Sequence, residues 1–441
     1  GGQPPYAPNL RFYAIHRAGT PRNAPLKKRR ARTKGFVLER RKIFCRRNFM
    51  NTRPDKFSRL MESIPPSGIR KFFEMLIGHD DVISLSVGEP DFPTPWTMRE
   101  EAFYHLEKGH TSYTGNRGLL ELRQEICRYM ERYNMYYNPE TEILVTVGAS
   151  EGVDVSLRSI LNPGDEIIVC QPCYVNYEPL ACLTEAKVIP IDTSINGFYP
   201  TAEQIQKVLT PKTKAIMMCS PNNPTGTVIP GGELEKIAKL CVENQIWCIS
   251  DEIYCELIYD EAKHISIGSF PGMKDYTIIL NGFSKSFAMT GWRIGYVAAP
   301  ADLITQMTKL HGYNSICAPI FSQYAATEGL RNGWKDVEKM RISYQQRRNL
   351  MEKAFNDMGL PVPEPKGAFY MFPDITSTGI SSEEFATRLF QKYNIAVVPG
   401  SVFGLGGEGH IRVCYATAID KIKIAMERIA EFVEELKKAK K

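Results

Sequence analysis

The chain has 441 residues, 43% hydrophobic and 24% charged. These are ordinary proportions for a globular protein with room for two domains, and no apolar run reaches the roughly 18 residues of a bilayer-spanning helix, so no membrane partner is expected. The formal net charge of +6 hides an asymmetry: residues 1–49 hold fourteen Lys/Arg and one acid, whereas the other 392 hold 41 Lys/Arg against 48 Asp/Glu, a mildly acidic body that argues against nucleic-acid binding.

Residues 1–50 form a basic segment without sustained apolar periodicity, containing Lys27-Lys28-Arg29-Arg30-Ala31-Arg32. Three readings stand side by side: translated upstream sequence with Met50 as the true start, an Arg-rich targeting leader, or a disordered basic arm. From Pro54 the pattern is globular. Ser67-Gly68 precedes a helix expected over 69–77. A strand expected over 82–87 runs into the breaker-rich turn Gly88-Glu89-Pro90-Asp91. An amphipathic helix is expected over 118–136, with Leu119, Leu122, Ile126, Tyr129, Met130 and Tyr133 on one side. Seven short apolar runs follow at wide intervals, at 143–147, 166–170, 187–191, 214–219, 246–250, 277–281 and 294–299. Strands alternating with helical or loop segments predict an α/β fold with a largely parallel sheet covered on both faces. Beyond about 300 the pattern is mainly helical. A second α+β unit resumes near 365, and a long amphipathic helix over 419–438 closes the chain. Eleven cysteines, most in apolar runs, suit a reducing cytosol. Cys170 and Cys173 form a lone C-x-x-C with no second pair, so no metal is expected.

Ligands of such sheets sit at the carboxyl ends of the strands, and chemistry-bearing residues gather there. Gly148-Ala149-Ser150 is a small-residue turn opening a helix, which suits a phosphate; the competing reading is an ordinary turn with Ser150 as the helix cap. Tyr174 could stack on a flat ligand or simply pack. Ser220-Pro221-Asn222-Asn223-Pro224-Thr225-Gly226 offers two amide side chains. Asp251, at the end of a central strand, needs a cation; a protonated ring nitrogen would serve, with Tyr254 reaching the same ring. Lys285 lies between two apolar runs. A buried ammonium is costly unless it does chemistry, and an amine of lowered pKa forms Schiff bases. Arg293 could supply a nearby cation or hold an anion. A surface lysine is the bland alternative.

Three stretches, Asn223-Pro224-Thr225-Gly226, Ser250-Asp251-Glu252-Ile253-Tyr254 and the run Ser284 to Tyr296 (SKSFAMTGWRIGY), resemble the pyridoxal-phosphate aminotransferases of fold type I, class I/II, in the branch of prokaryotic-type aspartate and aromatic enzymes. The resemblance covers about 54–438. It implies a large cofactor domain over 96–319 with a seven-stranded, mostly parallel sheet, and a smaller α+β domain from 51–95 and 320–441. It implies a homodimer with a shared active site, acting by a ping-pong mechanism on an amino acid and a 2-oxo acid. Lys285 would hold pyridoxal 5'-phosphate as a Schiff base and then act as general base and acid. Asp251 would pair with the ring nitrogen, Tyr254 and Asn223 with the ring oxygen, and Tyr174 would stack on the ring. Arg293, Ser284 and Gly148-Ala149-Ser150 would cradle the phosphate, with Tyr113 reaching that of the neighbouring subunit. Arg412 would clamp the substrate carboxylate, and Gly88 would lie over the substrate. Many relatives that use dicarboxylates have a lysine where Ser150 stands, which argues against aspartate as donor. Gly282 stands where some have a phosphate-binding serine. A β-lyase on the same scaffold and a non-catalytic regulatory homologue are the alternatives.

Overall fold

The computed structural model describes residues 57–69 and 81–439. The N-terminal basic segment, and all but the start of the helix expected over 69–77, lie outside the described residues.

Twelve strands are found among the described residues: β1 (Ile83–Ser84), β2 (Ile143–Thr146), β3 (Glu166–Gln171), β4 (Lys187–Asp192), β5 (Thr213–Cys219), β6 (Trp247–Asp251), β7 (Thr277–Gly282), β8 (Gly295–Ala298), β9 (Tyr370–Met371), β10 (Ile395–Ala396), β11 (Val398–Pro399) and β12 (Ile411–Cys414). Each of the seven predicted apolar runs is a strand of one sheet, ordered β2-β8-β7-β6-β5-β3-β4. Only β8 runs antiparallel to its neighbours; the pairings among β3 to β7 are parallel. Every residue of β3, β6's last four and all of β7 are buried, because helices cover both faces. The side chains alternate accordingly. Ile167, Val169, Met217 and Ile249 join one apolar cluster, and Ile168, Ile216, Met218 and Cys248 join another on the opposite face. Deleting such a side chain, for example Leu280→Ala at 0% exposure, costs about 2–5 kcal/mol through lost burial and the cavity left behind.

The smaller α+β part contains a three-stranded sheet, β11-β12-β9, and a two-stranded parallel pair, β1-β10. The helix Ile419–Ala439 buries Ile422, Ala425, Met426, Ile429, Phe432, Val433 and Leu436, the 3–4-residue stripe its sequence requires. Two expectations need correction. The strand expected over 82–87 is paired only at Ile83–Ser84. Beyond it, Leu85 bonds on both sides, its N–H to the Ala396 carbonyl and its carbonyl to the Cys414 N–H, which carries the chain out toward Gly88. The helix expected over 118–136 spans only Leu120–Glu131. Gly118 at φ +89° precedes it and Asn134 at φ +57° follows, both outside helical geometry.

Candidate active site

The carboxyl edge of the large sheet opens into a cavity of about 610 Å³. Ala149, Ser150, Tyr174, Asn223, Asp251, Tyr254, Ser284, Lys285 and Arg293 line it, and Gly88 and Arg412 join them from outside the sheet. The carboxyl ends of β2, β3, β5, β6 and β7 and the segments that follow them supply the first nine, which is the strand-end rule at work.

The phosphate-type corner follows from strand register. In the antiparallel pair β2–β8, Thr146 lies opposite Gly295, so the turn leaving β2 meets the turn entering β8. Gly148 and Arg293 therefore face each other. A Cβ on Gly148 would lie 2.3 Å from Arg293 Nη2, and its φ of +77° is also a glycine conformation. Gly148, not Ser150, caps the helix Ala149–Ile160; Ser150 sits in the first turn and faces the cavity. Arg293 itself takes a left-handed φ of +52°, and its Nη1 donates to the Thr290 carbonyl at 3.0 Å. Such strain at a functional corner is held by its surroundings. The result is a cation beside a bare glycine at a helix N-terminus, which is built for an anion.

Asp251 ends β6 at 5% exposure. Its Oδ2 accepts from the Tyr177 hydroxyl at 2.6 Å and its Oδ1 from the Ile253 N–H at 3.1 Å. Burial pushes the carboxyl up to about 6, with those two donors opposing the rise. Lys285 is largely buried, and its Nζ donates to the Gly88 carbonyl at 2.8 Å. Burial lowers its pKa to about 8, against the pull of Glu89, while Arg412 and Arg293 add to the lowering. The amine is thus held close to the neutral form that attacks carbonyl carbon. Tyr174 packs edge-on against Tyr177, ring centroids 5.6 Å apart.

Arg412, on β12, is 2% exposed. Its Nη1 donates to Asn223 Oδ1 at 3.0 Å and its Nη2 to the Ser86 carbonyl at 2.7 Å. Its Nε is buried with no partner among the described residues. A guanidinium buried without a carboxylate is a poor core element and a good carboxylate receptor.

Of the thirteen residues singled out in the sequence, eleven line this cavity and Gly148 borders it. Tyr113 does not join them; it stands 77% exposed. Tyr370, Glu89 and Thr290 line the cavity without having been singled out, as does Tyr177, noted only as a second aromatic after Tyr174. Tyr370 lies in Gly367-Ala368-Phe369-Tyr370-Met371-Phe372, which reads as an apolar core run. An amine near neutrality, a buried acid and an aromatic side chain in one cavity, and a cation at a glycine turn form a donor set that fits pyridoxal phosphate, with its aldehyde, ring nitrogen and phosphate.

The profile of the family "Aminotransferase class I and II" matches residues 80–429. The aspartate aminotransferase of Pyrococcus abyssi is 45% identical over 86% of this chain and 98% of its own length. The aromatic-amino-acid aminotransferase 2 of Thermococcus litoralis is 42% identical over the same shares. The crystal structure of the aromatic aminotransferase from Pyrococcus horikoshii superimposes with a TM-score of 0.80 at 44% identity, covering 84% of this chain and 99% of that one. The chain belongs to the class I and II aminotransferases of the fold-type I pyridoxal-phosphate group, in the aspartate and aromatic branch, and is an aminotransferase.

Proposed function

We propose that the enzyme moves the amino group of aromatic and other neutral L-amino acids to a 2-oxo acid such as 2-oxoglutarate, with aspartate the poorer donor. The carrying observation is the cation inventory of the cavity wall. Among the described residues its Lys and Arg side chains are Lys285, Arg293 and Arg412, and each has a generic task. The rest of the wall offers Ser67, Ile69, Val87, Val175 and Tyr370 to a donor side chain. Burying an aromatic ring there contributes on the order of 25 cal/mol per Å²; burying a second, unpaired carboxylate would cost several kcal/mol. Both donor types occur in the names of the relatives, so the ranking rests on this wall.

Pyridoxal phosphate, when bound, supplies the electron sink that stabilises a carbanion at the substrate α-carbon. In this reading Lys285 holds the cofactor covalently and moves the proton at the α-carbon. Asp251, held by Tyr177, keeps the ring nitrogen protonated. Tyr254 and Asn223 bond the ring oxygen, and Tyr174 covers the ring face. Gly148, Ala149, Ser150, Ser284 and Arg293 hold the phosphate. Arg412, with Asn223 fixing its fork, orients the α-carboxylate, and Gly88 covers the substrate. The protein acts as a homodimer in which Tyr113 completes the partner's phosphate site. The exposure of Trp96 and Phe103, one helical face at 56% and 60%, and of Tyr113 supports a covering subunit. The setting is the reducing cytosol, where the ten free cysteines of the described residues remain thiols.

A panel of amino donors with 2-oxoglutarate as acceptor tests the ranking. Phenylalanine and tyrosine should exceed aspartate in kcat/KM. Aspartate ahead of both by tenfold refutes it and requires a further cation at the pocket.

A further inference from the structure

We propose that Tyr370 is the positioning residue that ties the carboxylate clamp to the cofactor end of the site, holding Arg412 with its ring and Tyr254 with its hydroxyl. The inference rests on the roles proposed above for Arg412 and Tyr254. The pairing of β9 with β12 explains the placement. Tyr370 lies opposite Cys414, so Arg412, two residues along β12, shares its face. The Arg412 guanidinium sits 4.6 Å from the Tyr370 ring centroid and 5.1 Å from that of Phe403. Its two terminal nitrogens are held by Asn223 and the Ser86 carbonyl. The two rings therefore hold the guanidinium carbon through contacts separate from its hydrogen bonds. The Tyr370 hydroxyl lies 3.0 Å from the Tyr254 hydroxyl. It also closes on Gly88, where a Cβ would stand 2.2 Å from it, and the Gly88 carbonyl accepts from Lys285. One side chain of the smaller sheet thus contacts three groups assigned to substrate or cofactor.

The two ends of Tyr370 have separable tasks. When Tyr254 donates its one proton to a ligand oxygen, its own oxygen is free to accept from Tyr370. That second bond polarises the first and makes Tyr254 the stronger donor. The ring, meanwhile, contributes a desolvated cation–π contact to Arg412.

The test compares Tyr370→Phe with Tyr370→Leu in the holoenzyme. Affinity for the unreactive carboxylate 3-phenylpropanoate reports the clamp, and the pH midpoint of the visible absorbance reports the cofactor end. Tyr370→Phe should keep the carboxylate Kd within about threefold and raise the absorbance midpoint by on the order of 0.3–0.5, since a weaker Tyr254 donor leaves the proton more tightly held. Tyr370→Leu should raise the midpoint as well and weaken the carboxylate about tenfold. An unchanged midpoint in Tyr370→Phe, which preserves the packing and so the fold, overturns the proposal, as does wild-type carboxylate affinity in Tyr370→Leu. Arg412→Ala and Tyr254→Phe separate the levels. If Arg412→Ala does not weaken the carboxylate, or Tyr254→Phe does not raise the midpoint, the underlying role assignment has failed and the proposal with it. If both controls respond and the Tyr370 variants do not, Tyr370 alone is misassigned.

Discussion

Asp251→Asn should make the cofactor-free protein more stable while removing its catalytic use. The Asp251 carboxyl is pushed up to about 6 in the folded chain, against about 3.9 for an unperturbed aspartate. Between those two values the folded state binds the proton that the unfolded state has released. Stability therefore falls as pH rises through that window, and the loss is complete above about pH 6. Two pH units at about 1.4 kcal/mol each put the destabilisation at roughly 3 kcal/mol. Asparagine removes the charge and keeps the shape. Its amide oxygen can still accept from Tyr177 or from the Ile253 N–H, the two donors that Asp251 uses. Urea unfolding of the cofactor-free proteins should show Asp251→Asn the more stable at pH 8 by up to about 3 kcal/mol, with the two converging near pH 4. With cofactor present, the same variant should lose activity by orders of magnitude, because a neutral amide does not keep a ring nitrogen protonated. Equal stabilities at pH 8, or a gap that widens toward acid, would refute the burial argument; an activity loss of less than about tenfold would refute the pairing.

Lys285→Ala should lose activity by at least the roughly 10²–10⁴ that a positioned acid–base group contributes, measured as single-turnover rates. In the cofactor-free protein, an amine-directed reagent should modify Lys285 with a pH midpoint near 8, well below surface lysines; a midpoint above 10, followed by peptide mass spectrometry, would show that burial does not hold the amine down. Mixing Tyr113→Ala with Lys285→Ala subunits should restore activity, since a mixed dimer carries one intact and one doubly defective site, and mixtures that stay inactive count against a shared site. Tyr177→Phe should raise the acid limb of the activity profile by about one to two pH units, because a hydrogen bond to a charged group contributes about 1.5–3 kcal/mol.

The seven strands of the large sheet were legible because both faces are covered, and strands buried on both faces must be continuous apolar runs. The residues at their carboxyl ends were legible for a related reason. Asp251, Lys285 and Arg293 are charges where the core pattern has no use for charge, and the family motifs assigned each a task. The two-residue strands β1, β9, β10 and β11 carry too few residues to show a period. Tyr177, flanked by Asn176 and Glu178, and Tyr370, inside an apolar run, escaped a role because a phenol is ordinary packing until its partner is known. Those partners, Asp251 and Tyr254, lie 74 and 116 residues away. The meeting of Gly148 with Arg293 depends on the β2–β8 register, and local sequence carries no register between distant strands. Serine favours the cap position, which made Ser150 as cap the competing reading; the helix starts one residue after Gly148 instead, where a φ of +77° and the close approach of Arg293 require glycine.

Every role proposed for the site depends on Lys285 being the group that carries the cofactor. Borohydride reduction of the yellow holoenzyme, followed by digestion and mass spectrometry, tests it without reference to substrate. One pyridoxal-phosphate adduct is expected, on the peptide containing Lys285, and none in Lys285→Ala. An adduct on any other lysine, or a reduced holoenzyme with no adduct at all, would contradict it.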